Sequence, residues 1–305
     1  MPCYHPVTAY RSKQGRNPDT GKWPLVFNYR DGYIDMVQKV PCGRCIGCRL
    51  DKSRQWAIRC IHEASLYKKN CFITLTYNDE NLPDNGNLDK RHFVLFMKKL
   101  RKKYGEGIRF FHCGEYGSKL KRPHHHACLF NHDFEDKKHY STRRQVKLYR
   151  SNELENLWKY GFSTIGDVTF ESAAYVARYI LKKMTGELAE DHYSSIDMET
   201  GEVIKIEPEY VTMSRRPGIG KGWFDKFKDD VYPEDRVVVR NNFMCKPPRY
   251  YDNLYDIDNS SQMKKIRGRR QNGFKPEENT FERLEEKEIV KLSQTKNLVR
   301  DLEGN

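Results

Sequence analysis

The run Arg122-Pro-His-His-His-Ala-Cys-Leu-Phe130 constrains this chain more than any other segment. As a β-strand it sends successive side chains to opposite faces. Ala127 and Leu129 then share a face with His125, and that small apolar face packs on a helix. The opposite face carries His124, His126, Cys128 and Phe130. The register that buries Ala127 and Leu129 is therefore the one that presents His124 and His126 together, about 7 Å apart along the strand. Two imidazoles on one face can hold one divalent cation; a solvated histidine cluster is the alternative. Glu115, read as lying in the turn before this strand, can bring a carboxylate to the same place. Two neutral imidazoles and one carboxylate leave open positions for water or phosphate oxygens and suit Mg²⁺ or Mn²⁺ as well as zinc.

The surrounding pattern predicts alternating elements. Arg54 to Lys69 reads as an amphipathic helix and Cys71 to Tyr77 as a strand. Leu88 to Tyr104 reads as a helix with Phe93, Phe96, Met97 and Leu100 on one face, ended by Gly105 and Gly107. Ile108 to Cys113 is a second strand and His124 to Phe130 a third. Leu154 to Tyr160 is helical, 161–168 is a fourth strand, and Ser172 to Met184 is a helix. The order implies an α+β fold, an antiparallel sheet with helices on one face. A small cysteine-rich, zinc-binding element precedes it. The expected segments are 1–55 for that element, 56–186 for the core, 187–258 for an extension beside it and 259–305 for a charged tail. The tail is expected to be mobile or a single exposed helix over Phe281 to Leu302.

Charge points to a polyanion partner. The 305 residues carry a net charge of +13 with a pI near 9.2. The excess is clustered at Lys98–Lys103, at Arg143–Arg150 and at Lys264–Arg270. The 19 tyrosines suit stacking on unpaired bases and serve equally as packing residues. No stretch of 18 apolar residues exists, and the N-terminus lacks the pattern of a secretory signal, so no membrane partner is expected and the chain is expected in a cytoplasm.

Two further constellations carry chemistry. Cys42-Gly-Arg-Cys-Ile-Gly-Cys48 has the spacing of a metal knuckle, with Cys3 as the candidate fourth ligand. Structural zinc is the favoured reading, an iron–sulfur cluster a second, and free cysteines in a turn a third. Cys60, Cys71, Cys113, Cys128 and Cys245 lie in apolar segments and read as buried thiols. Tyr175-Val-Ala-Arg-Tyr179 places two phenols at i and i+4 on one helix face, with Lys182 and Lys183 a turn further on. A tyrosine pair on a helix is ordinarily core packing. It becomes a pair of nucleophiles towards phosphorus if a nearby cation stabilises the phenolate. Tyr250, Tyr251 and Tyr255 are also downstream of the histidines, but they are expected in a proline-rich loop, not on a helix.

Taken in order, these runs resemble the HUH endonucleases that start rolling-circle replication, and most closely the replication initiators of microviruses, of the gokushovirus type. The supporting runs are Val40–Cys48, Phe72-Ile-Thr-Leu-Thr-Tyr77, Cys113-Gly-Glu-Tyr-Gly117, Arg122–His126, Tyr175–Tyr179 and Met213-Ser-Arg-Arg-Pro-Gly-Ile-Gly220. One departure stands at His125, where the family motif carries a bulky apolar residue; His125 either competes as a ligand or fills a polar pocket between sheet and helix. The resemblance implies a ferredoxin-like HUH nuclease core that nicks single-stranded origin DNA. His124, His126 and Glu115 would hold the Mg²⁺ or Mn²⁺, Tyr175 or Tyr179 would form a 5′-phosphotyrosyl link, and Lys182 or Lys183 would steady the developing charge. Arg122, Arg178, Arg215 and Arg216 are expected to contact DNA. Host helicase and polymerase, in the bacterial cytoplasm, would be the partners. Two other readings remain, a non-catalytic zinc-containing nucleic-acid-binding protein and a related HUH transposase or relaxase.

Overall fold

The structure, a computed structural model, describes residues 3–18, 21, 23–117, 121–143, 146–179, 193–196, 201–232, 234–240 and 243–296. The chain divides into two compact units, Met1–Lys52 with Asn272–Val299, and Ser53–Gln271 with the last few residues.

The larger unit is built on one antiparallel sheet. In chain order its elements begin with helix α1 (Ile46–Ala64), whose first turns lie in the other unit. Strand β4 (Asn70–Thr76), helix α2 (Lys90–Tyr104), strands β5 (Arg109–Tyr116) and β6 (Pro123–Phe130), and strands β7 (Lys138–Arg143) and β8 (Val146–Arg150) follow. Helix α3 (Asn152–Leu157), strand β9 (Ser163–Gly166), helix α4 (Phe170–Tyr179), the short strands β10 (Ser194–Ile196) and β11 (Val203–Lys205), and strand β12 (Tyr210–Met213) come next. Seven strands pair in the order β12-β5-β6-β4-β9-β8-β7, with β6 near the centre. Residue pairs across the ladders fix the faces: Glu115 lies opposite His124, Thr74 opposite His126 and Ile73 opposite Ala127.

Each face of this sheet is buried by helices, which corrects the expectation of helices on one face. Odd-numbered Cys71, Ile73 and Leu75, with Ala127 and Leu129, pack against Phe93, Phe96, Met97 and Leu100 of α2 and Leu154 and Leu157 of α3. Even-numbered Phe72, with Phe111, Cys113, Cys128 and Phe130, packs against Ala57 and Cys60 of α1 and Ala173, Val176 and Ala177 of α4. The reason is in the strands themselves. Cys71-Phe-Ile and Ala127-Cys-Leu-Phe130 are apolar on consecutive residues, the mark of strands covered on both sides. Burying the four large residues of α2 contributes about 2 kcal/mol each.

The helix ends follow local chemistry. Asp89 accepts a hydrogen bond from Arg91 N (2.7 Å) at the start of α2, and Ser151 Oγ accepts one from Leu154 N (3.1 Å) at the start of α3. Before α4, Thr169 Oγ1 accepts from Ser172 N (3.1 Å) while Ser172 Oγ accepts from Thr169 N (2.8 Å). This reciprocal pair fixes where α4 enters against the sheet.

Three other expectations change. Glu115 is on strand β5, not in a turn, because pairing runs on to Tyr116 opposite Pro123. Tyr250, Tyr251 and Tyr255, expected in a proline-rich loop, lie on a helix, because Pro247 and Pro248 end just where its first turn begins. That helix is α6 (Arg249–Asp258), preceded by α5 (Lys221–Val231) and the hairpin of β13 (Val237–Arg240) with β14 (Phe243–Cys245). The region from Asn259 holds more than the helix expected from Phe281, which is present, because a second, packed helix precedes it. Helix α7 (Ser260–Asn272) buries Met263 and Ile266 beside Phe224, Tyr232 and Tyr251, and helix α8 (Phe281–Lys296) follows separately.

The smaller unit holds a three-stranded antiparallel sheet, order β2-β1-β3, made by β1 (Val7–Ser12), β2 (Leu25–Val26) and β3 (Gly32–Val40). Its buried cluster joins Tyr4 and Cys45 to Leu284 of α8.

Candidate metal and tyrosine site

Strand pairing brings the predicted ligands together. Glu115 and His124 are direct cross-strand partners, and His126 stands two residues along the same face. His124 Nε2 lies 3.0 Å and His126 Nε2 2.8 Å from the same Glu115 Oε1. The three ligand atoms lie within 4.8 Å of one another. His126 and Glu115 are buried and His124 is half-buried.

The outer nitrogens are held by other groups. His124 Nδ1 is 3.0 Å from the Arg122 carbonyl oxygen, which can only accept, so Nδ1 carries the proton. His126 Nδ1 is 2.9 Å from Thr74 Oγ1, and the ring stacks on Phe72 at 5.6 Å. Such outer contacts fix ring orientation and tautomer in metal sites. With its proton on Nδ1, neutral His124 turns an Nε2 lone pair towards a carboxylate oxygen. Two electron-pair donors at that distance are stable only with a proton or a cation between them. The donor set of two imidazole nitrogens and one carboxylate oxygen therefore fits a divalent cation. Burial works to raise the Glu115 carboxyl; when no cation is bound and the two imidazoles are protonated, their Nε2–H groups and charge outweigh burial and hold it down at about 2.

Helix α4 completes the site. Tyr175 is buried, and its hydroxyl donates to Glu115 Oε1 at 3.2 Å. Its ring meets the His126 ring edge-on at 5.0 Å, and the Arg178 guanidinium lies 5.6 Å from the ring centre. Gly114 precedes Glu115 on β5 for a steric reason: a Cβ there would stand 2.6 Å from the Tyr210 ring.

The other predicted residues are distributed as follows. Tyr179 is the last residue of α4, and its side chain lies outside the described residues, as do Lys182 and Lys183 entirely. Arg122 spans Asp79 Oδ1 (2.6 Å) and the Tyr77 carbonyl (3.0 Å) beside His124. Arg215 and Arg216 are exposed in the turn after β12. His125 points to the opposite face and is no part of the ligand set. Its Nε2 is 3.0 Å from Tyr77 Oη and its Nδ1 3.2 Å from His112 Nε2. It occupies a buried polar pocket between sheet and α2, and desolvation pushes its pKa down to about 3.

In the smaller unit, Cys3 joins Cys42, Cys45 and Cys48, with all four sulfurs within 4.8 Å of one another. Backbone N–H groups of Cys42 (to Cys3 Sγ, 3.2 Å), Arg44 and Cys45 (to Cys42 Sγ, 3.4 and 3.3 Å) and Tyr4 (to Cys45 Sγ, 3.3 Å) point at these sulfurs. Burial opposes ionisation of Cys42, but its backbone donors win and bring it down to about 7. Four converging sulfurs with N–H donors aimed at them fit a tetrahedral ion.

Thr74 and the Arg122 carbonyl were not foreseen. Thr74 had a signal in the sequence: with Thr76 it interrupts an apolar strand at alternate positions, on the face that carries the histidines.

A family model for the replication-associated protein ORF2/G2P matches residues 70–184, the stretch that carries Glu115, both histidines and α4. The chain is 37% identical over 224 residues to the replication-associated protein VP4 of Bdellovibrio phage phiMH2K, covering 70% of this chain and 67% of that one. It is 33% identical over 273 residues to the replication-associated protein ORF2 of Spiroplasma virus 4, covering 83% and 79%. It belongs to the family of phage replication-associated proteins, the Rep proteins of microviruses. No solved structure matches it.

Proposed function

We propose that this chain is a site-specific single-stranded DNA endonuclease and joining enzyme of the HUH class that nicks the viral origin to start and end rolling-circle replication. The observation that carries the reading is the Tyr175 hydroxyl donating to the same Glu115 oxygen that faces the Nε2 atoms of His124 and His126.

Glu115, His124 and His126 would hold Mg²⁺ or Mn²⁺, which when bound supplies Lewis-acid polarisation of the scissile phosphate. Tyr175 is the attacking group. With its carboxyl held at about 2, Glu115 is a poor base; it orients the phenol as an acceptor and does not take its proton. The phenol oxygen bonds to phosphorus, the bond to the 3′-oxygen breaks, and the phenolic proton passes through solvent to that departing oxygen. The product is a 5′-phosphotyrosyl strand and a free 3′-OH, which primes host polymerase behind a host helicase. The phosphodiester energy stays in the protein–DNA bond, so rejoining needs no nucleotide cofactor. Tyr179 would make the second cleavage, Lys182 or Lys183 would steady charge on phosphate, and Arg122, Arg178, Arg215 and Arg216 would bind the DNA backbone. The four cysteines would hold structural zinc. The work would take place in the host cytoplasm; no helix among the described residues is long and apolar enough to cross a membrane.

The test mixes the protein with labelled origin-strand DNA and Mn²⁺. A DNA–protein adduct stable to denaturant is expected with the wild type. Its absence under all divalent cations tried would remove the nuclease reading and leave the non-catalytic one.

A further inference from the structure

The smaller unit exposes a set of side chains that its own packing does not use. Phe27 and Tyr29, in the connection from β2 to β3, are 66% and 55% exposed, and Ile34 of β3 is 69% exposed. Tyr33, Met36 and Val37 are also exposed. The register explains why they stand out. Tyr10 of β1 pairs with Val37, but the next residue, Arg11, pairs with Tyr33, so residues 34–36 of β3 have no partner on β1. A bulge of this kind pushes side chains out of the sheet and bends the strand. Single exposed apolar residues are ordinary; rings and aliphatic groups collected at one end of a small sheet mark a binding surface.

The charge beside these rings is basic. Residues 1–52 hold nine Lys and Arg against four Asp and no Glu. Lys13 donates to the Arg30 carbonyl at 3.0 Å, which sets its ammonium at the Tyr29 turn, and the Arg30 guanidinium lies 5.9 Å from the Tyr29 ring centre. Arg16 and Lys39 are exposed on the same sheet and its loops, as are Asp31 and Asp35. Rings that bases can stack on, interleaved with cations that follow a phosphate backbone, are the two parts of a sequence-tolerant single-strand binding surface. A protein partner of apolar character would be matched by the aliphatic residues alone, without the flanking cations.

We infer that the sheet of the smaller unit, through Phe27, Tyr29, Lys13 and Arg30, binds single-stranded DNA by base stacking, in addition to and independently of the strand held at Glu115, His124 and His126. The surface carries no chemistry. It gives the protein a second hold on unpaired DNA of any sequence.

The experiment uses the full chain and a fluorescent 20-nucleotide dT strand lacking any origin, in buffer without added Mg²⁺ or Mn²⁺. Salt-sensitive binding is expected. Phe27→Leu with Tyr29→Leu keeps apolar area but removes the stacking faces, and should weaken binding about tenfold or more. Lys13→Gln with Arg30→Gln should make binding less dependent on salt. An unchanged thermal midpoint and circular dichroism spectrum would show that the variants fold. Equal binding by wild type and the Leu variant would overturn the inference. So would a concentration-dependent dimer that the Leu variant abolishes while dT binding stays the same, since the patch would then join two copies of the chain. Adduct formation on a short origin strand separates the two readings: loss of dT binding with adduct retained supports this one, and failure of wild type to form any adduct strikes only the nuclease.

Discussion

At the residue scale, the site rests on a few contacts with different jobs. Tyr175→Phe removes the hydroxyl that donates to Glu115 and should abolish the first covalent adduct without unfolding the chain, read by denaturing gel. Thr74→Val keeps shape but removes the group beside His126 Nδ1, and should weaken Mn²⁺ binding by about ten- to a hundredfold by calorimetry. His125 differs in kind from its neighbours. His125→Leu should leave Mn²⁺ affinity near wild type. It should also lower unfolding stability by about 1–3 kcal/mol, because Tyr77 and His112 lose a buried partner. The histidines that flank it were legible in the sequence because strand alternation is a strict rule. The role of His125 was not, because it depends on Tyr77, just past the end of β4, and His112 of β5, which are unconnected to it by any local pattern.

At the element scale, strands β4 to β6 and helices α2 and α4 were readable, because their apolar periods and end residues agree. The misplaced elements have separate causes. Glu115 was assigned to a turn because pairing extends beyond the apolar part of β5. α6 was hidden by its preceding prolines, and α7 by its many charges, although two of its residues, Met263 and Ile266, are buried. Helices on the second face followed from consecutive apolar residues that had been treated as simple alternation. The same packing has a pH consequence. Desolvation holds His62 of α1, stacked on Trp223 at 3.5 Å, down to about 3, against 6.5 in an unfolded chain. Between those values the unfolded state binds the proton and the folded state does not, so stability falls as pH falls from 6.5 towards 3. By pH 5 the loss from this group is about 2 kcal/mol. Urea unfolding at pH 7.5 and pH 5 should show that decline, and His62→Gln should reduce it by about that amount, leaving the part due to buried His125.

At the scale of the whole molecule, the proposed zinc site lies in one compact unit and the proposed nuclease site in the other, so each can be perturbed separately. Cys45→Ser should cost the protein one bound zinc, read by metal analysis, and lower its thermal midpoint, while adduct formation per folded molecule changes little. The family match over residues 70–184 falls in the larger unit, where the sheet and α4 carry the proposed chemistry. The most direct measurement is tandem mass spectrometry of the digested adduct formed on origin-strand DNA with Mn²⁺. A nucleotide 5′-phosphate carried on Tyr175 is the expected result. A nucleotide on any residue outside the 175–179 segment, or none at all, would contradict the reading of this site as a tyrosine nuclease.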